Sequence, residues 1–162
     1  MKRIPRQPAR IVLTSLVIGF VIVCTGCSFV IGFNIRNVSD QPITVKYSLK
    51  DSGDGLSPRL VRQNDEDEIE YLPFPEDRIR IDTQSRVVEF KLLPSENVQL
   101  YRVSDRLDSK YEEEFNLAKL SITVADGSTS FEGGHLFRQF RPIKKNWFAF
   151  GPEITGFVLE YR

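Results

Sequence analysis

Cysteine is nearly missing from this chain. Its 162 residues hold two, at positions 24 and 27, and none afterwards. Everything beyond residue 27 therefore lacks an internal disulfide and a thiol nucleophile, so a hydrophobic core has to carry its stability. Histidine occurs once, as His135, which excludes a histidine-rich metal site. Net charge is missing too. The 22 basic residues balance 22 acidic ones, and a chain without a basic excess has no electrostatic footprint for nucleic acid. The sequence shows no internal repeat, no nucleophile-elbow serine and no long amphipathic helix.

What is present, first of all, is a segregated N-terminus. Lys2, Arg3, Arg6 and Arg10 precede an uncharged, mostly aliphatic run from Ile11 to Val23, followed by Cys24-Thr25-Gly26-Cys27. A positive start, an apolar centre and small residues make a secretory signal, and the positive end stays cytoplasmic. Thr25-Gly26-Cys27 resembles the end of a bacterial lipoprotein signal, with small residues at −2 and −1 and Cys24 where Leu or Val is usual. The resemblance implies cleavage between Gly26 and Cys27 and a thioether-linked diacylglycerol on Cys27, with palmitate-type acylation of the new amine. Each buried methylene contributes about 0.8 kcal/mol, so two or three acyl chains hold where one exchanges. It also implies a lipid-anchored domain on the extracytoplasmic side of the cell membrane. In a host with an outer membrane, Ser28 after the cysteine points to that membrane instead.

An alternative keeps residues 11–33 as an uncleaved anchor helix, since the segment is uncharged and long enough to cross a bilayer core of about 30 Å. Both readings place the C-terminal part outside the cytoplasm. As a zinc or redox pair, Cys24-x-x-Cys27 lacks a second ligand pair and lies inside an apolar run.

Taking residues 1–26 as the signal leaves 27–162, enough for one domain with a core of its own. Four basic residues depart with the signal, leaving 18 against 22 acidic. Apolar residues then alternate with polar ones. Phe29, Ile31, Phe33 and Ile35 form one series, and Ile43, Val45, Tyr47 and Leu49 another; period two is the mark of a strand with one buried face. Further strands are predicted at Ile79–Ile81, Val87–Leu93, Val98–Val103 and near Phe148 and Phe150, with Phe157–Tyr161 closing the chain. Asp126-Gly127 reads as a type I′ hairpin turn, with Ala125 opposite Ser128 and Ile122 opposite Phe131. Ser109 and Glu112 could cap one short helix, and Leu136, Phe137 and Phe140 have the spacing of another. Residues 51–70, polar and without period, read as a long acidic loop. The expectation is a single, mainly antiparallel β-sandwich of about nine short strands and one or two short helices. The turn and strand from Asn37 to Leu49 resemble those of bacterial Ig-like domains.

Candidate chemistry is sparse. His135 follows Gly133-Gly134 and could serve as a base in a hydrolase acting on envelope material. Asp65-Glu66-Asp67-Glu68 offers oxygens suited to calcium but lacks the EF-hand order; no other metal and no cofactor is implied. Aromatic residues crowd the last third, and strand spacing makes most of them core. Trp147 is the one that could stack on a glycan or meet a partner. Arg138, Arg141, Lys144 and Lys145 could touch anionic headgroups. Taken together, the residues predict a non-catalytic binding or structural module of the cell envelope. Its partner would be an envelope protein or polysaccharide, as for an accessory subunit of an envelope complex, besides the lipid of its own anchor.

Overall fold

A computed structural model describes residues 29–51, 55–63, 69–105, 111–147 and 151–162. The signal segment with Gly26 and Cys27, the acidic run Asp65–Glu68, Ser109, and Phe148 and Phe150 lie outside the described residues.

Alternation becomes pleat. Among the described residues the strands are β1 (Phe29–Asn37), β2 (Ile43–Leu49), β3 (Arg59–Gln63), β4 (Ile69–Pro73), β5 (Ile79–Asp82) and β6 (Val87–Leu92). They continue as β7 (Asn97–Asp105), β8 (Leu117–Val124), β9 (Gly127–Glu132), β10 (Arg141–Trp147) and β11 (Gly151–Tyr161). Two single-turn helices, α1 (Tyr111–Glu114) and α2 (Gly134–Phe137), sit between strands. A six-stranded sheet runs β10-β11-β1-β7-β3-β4, and a five-stranded sheet runs β5-β6-β2-β8-β9. All pairs are antiparallel except β1 with β11.

The inner faces of the two sheets make the core. Ile43, Val45, Tyr47 and Leu49 of β2 are buried, as are Ile31, Phe33 and Ile35 of β1. Each such side chain contributes about 1.5–3 kcal/mol when fully buried. Register builds an aromatic stack. Phe33 pairs with Tyr101 on one side and Phe157 on the other. Its ring lies 4.7 Å from Tyr101 and 4.9 Å from Phe157, tilted by only 7° and 5°. Phe115 and Phe140 meet Phe33 edge-on at 5.2 and 5.8 Å. Phe140 and Phe157 are therefore core, and Phe137 packs half-buried against it.

Polar ties fix the crossovers between sheets. Asn37 is fully buried. Its amide donates to the carbonyls of Gln41 (2.8 Å) and Leu92 (3.2 Å), and its side-chain oxygen accepts from the backbone N–H and hydroxyl of Ser39. The guanidinium of Arg78 reaches both carboxylate oxygens of Glu96, at 3.1 and 2.9 Å, and lies over the Phe74 ring.

Three expectations need correction. Residues 51–70 are not one loop: they contain β3 and the first two residues of β4. β3 offers one partly buried apolar residue, Leu60, to the core, and β4 is exposed along most of its length. Pairing rather than burial holds them, so no periodicity announces them. Among the described residues there are eleven strands where about nine were expected. Finally, the β8–β9 hairpin pairs Val124 with Gly127 and Leu120 with Phe131, around Ala125-Asp126. None of residues 125–127 takes a positive φ, so the turn is not type I′. The register differs by two residues, which leaves every side chain on its expected face.

Candidate functional site

Two glycines sit side by side in the middle of the six-stranded sheet, on the face turned away from the core. Gly32 pairs with Gly156, and the row extends to Ile143 on β10 and Arg102 on β7. A Cβ on Gly32 would collide with the amide nitrogen of Gln99, and one on Gly156 would come within 3.1 Å of the Gly32 carbonyl. Gly32 is thus the flat ground on which the Gln99 amide lies.

The neighbouring row reads Arg141, Val158, Asn34, Gln99, Arg59, Pro73. Its middle is buried although it faces outward: Asn34 is 9% and Gln99 5% exposed. The Asn34 amide donates to the carbonyls of Gly32 and Phe157, both at 3.3 Å. The Gln99 side chain makes no hydrogen bond to any described residue, and the next row holds a buried, unpartnered Asn97 Oδ1. Buried polar groups normally find partners, and an unsatisfied one costs about 1–3 kcal/mol.

Charge is one-sided here. Arg36, Arg59, Arg102 and Arg141 stand exposed on this face from four different strands, and none has an ion-pair partner among the described residues. Glu160, in the Arg36 row, is engaged by Arg162 at 3.2 Å. A groove of about 530 Å³ runs between Arg36, Val61, Ile69, Asn97 and Ile143, and Ile69, Tyr71 and Ile143 are exposed beside it. A smaller hollow of about 220 Å³ lies beside Gln99. A third, of about 280 Å³, opens between the sheets near Ile122, Phe131, Arg141 and Tyr161.

The residues singled out in the sequence scatter. His135 is exposed on α2, where its carbonyl accepts from Gln139 Nε2 at 3.3 Å, and it lines none of these three hollows. Arg138 caps α2 and Arg141 opens β10, both exposed. Lys144, Lys145 and Trp147 lie further along β10, past a break in its register with β11; the side chains of Lys145 and Trp147 are outside the description. Among the described residues no three His, Cys, Asp or Glu side chains converge as metal ligands. Arg36, Arg59, Arg102, Asn34 and Gln99 escaped sequence reasoning. The available signal was Gly32, an interruption inside an otherwise apolar strand.

Two tyrosines mark the site's inner side. Burial pushes the phenol of Tyr47 well above its ordinary range, and burial likewise raises that of Tyr101. Tyr47 donates to the Gly55 carbonyl, and Tyr101 accepts from Asn116 N–H at 3.2 Å. Both are structural hydroxyls.

Compared with known proteins, the chain matches no family model, no curated protein and no solved structure.

Proposed function

We propose that this chain is a lipid-anchored lipoprotein of the bacterial cell envelope. Its sandwich acts outside the cytoplasm as a non-catalytic binding module, an accessory to an envelope complex. The observation that carries the reading is Thr25-Gly26-Cys27 behind a basic start and an apolar run. The fold is compatible in a specific way. β1 begins at Phe29, two residues past Cys27, and is flanked by β11 and β7. No flexible spacer of the usual polar kind separates the anchor point from the fold, so the sandwich stands close to the bilayer.

Register then orients the surfaces. β10 is antiparallel to β11, and β11 parallel to β1, so Lys144 to Trp147 lie level with the start of β1. Lys144 and Lys145 are thereby suited to anionic headgroups, each worth about 1 kcal/mol near such a surface. Arg141 lies level with Asn34, further from the anchor. Arg36, Ser95, Glu96 and Asn97 stand at the opposite end of the sheet, where the larger groove is free of the bilayer in this reading.

The test is intact-mass analysis of the native product together with palmitate labelling. The expected product starts at Cys27 and carries acyl chains, and Cys27→Ala yields an unlabelled, uncleaved precursor. A product that retains Met1 and carries no lipid would overturn the reading.

A further inference from the structure

The Gln99 hollow has the parts of an oxyanion receptor. Its wall is made by Ser57, Arg59, Gln99 and Arg102. Arg59 is the cross-strand neighbour of Gln99 on β3. Arg102 is brought onto the same face by a bulge: Tyr101 pairs with Phe33 but Gln99 pairs with Asn34, so Leu100 is an extra residue and the strand is re-aimed around it. Arg59 and Arg102 thus line the same hollow as Gln99, which is 5% exposed and whose side chain forms no hydrogen bond to the described residues.

Three features converge. Arg59 and Arg102 line one hollow and have no carboxylate partner among the described residues. The Gln99 amide makes no hydrogen bond to a described residue, yet its polar atoms are not sealed from solvent and so stay open to a ligand. The space these side chains line, about 220 Å³, is large enough for one phosphate- or carboxylate-sized group. An anion would engage the first two at once, because forked guanidinium donors and an amide N–H match the oxygens of such a group. We propose that this hollow binds a single oxyanionic group, a phosphate ester or a carboxylate, through Arg59, Arg102 and the Gln99 amide, with Ser57 as a further donor. The assignment goes beyond the proposed anchor and does not depend on it.

The test uses the full chain, labelled with ¹⁵N and held in neutral detergent, with inorganic phosphate and then acetate as probes. The Gln99 side-chain amide signals should shift and saturate with at least one probe. Arg59→Gln and Arg102→Gln should each weaken binding about tenfold, as the loss of a charge-assisted pair would. Arg36→Gln and Arg141→Gln, on the same face but outside the hollow, should leave it within about twofold. Equal losses in all four variants would reduce the effect to general charge and overturn the site, as would shifts that never saturate. If Arg59→Gln fails to fold, Gln99→Glu in the otherwise unchanged chain should abolish saturation by placing a carboxylate in the hollow. Retained binding there would also refute the proposal. Competition distinguishes the source of the anion. A short-chain phosphatidic acid displacing phosphate better than glycerol phosphate does indicates a lipid headgroup, and equal displacement indicates a soluble anion.

Discussion

The outer faces of the two sheets are built from the same pleat and finished differently. On the five-stranded sheet, one row reads Arg80, Glu89, Lys46, Ser121, Ser130. Lys46 meets Glu89 at 3.2 Å, Ser121 meets Ser130 at 3.0 Å, Thr123 meets Ser128 at 3.1 Å, and Lys119 pairs with Glu132. Such exposed pairs contribute only about 0–1 kcal/mol each. Their effect is to tie many of that face's polar side chains to one another across the strands. The six-stranded sheet carries four arginines without ion-pair partners among the described residues, a buried Asn97 Oδ1 without a hydrogen bond, and two glycines where side chains would otherwise fill the surface. A fold selected for stability alone has no reason to leave one face so unsatisfied. The contrast is why the proposed binding role is assigned to the six-stranded sheet.

The comparison can be broken by measurement, beginning with the inner side. Phe33→Ala removes the middle ring of the aromatic stack and should cost about 3–5 kcal/mol in urea unfolding. Ile43→Ala, in the five-stranded sheet, should cost about 2–4 kcal/mol. A reversed order would show that the stack is not the stronger half of the core. Asn37→Ala comes next. It strips partners from Leu92 O and Gln41 O and should destabilise by about 1–3 kcal/mol. Arg78→Ala, at the other crossover tie, should cost no more than that.

Alkaline pH samples both sheets together, because Tyr47 belongs to one and Tyr101 to the other. Burial raises both phenols, so the folded chain keeps protons that the unfolded chain releases above about pH 10. Their contribution is complete below that pH and is lost as pH rises. The loss should approach about 1.4 kcal/mol per pH unit for each tyrosine. Urea midpoints between neutrality and high pH should show this slope, halved in Tyr47→Phe or Tyr101→Phe.

The smallest expected effect sharpens the contrast most. Replacing Arg36 and Arg102 by Gln should leave stability within about 0.5 kcal/mol, since neither makes an ion pair among the described residues. The same protein should recover less partner from crosslinked envelopes. Full recovery by the double variant would remove the six-stranded face from recognition.

The two sheets also differ in how far the sequence announces them. β2, β6 and β8 each bury one face and solvate the other, so their alternation is visible residue by residue. β3, β4 and β10 are not. β4 and β10 are edges, β3 contributes Leu60 alone to the core, and β10 carries Arg141, Pro142, Lys144 and Lys145, the composition by which an edge resists pairing. The Asp126-Gly127 signal placed the hairpin but not its register, since a two-residue slip costs nothing in facing. The site was out of reach for a different reason. Residues 36, 59, 102 and 141 are strangers in sequence, and only strand order and a bulge make them neighbours.

Residue 27 is joined almost directly to β1, which has a strand bonded along each flank. A pull at that point therefore runs along the strand axis. The rungs to β7 and β11 are loaded together as in a lap joint, instead of opening one after another as they would for an edge strand lifted sideways. The molecule is best braced in the direction in which a tether would tug it.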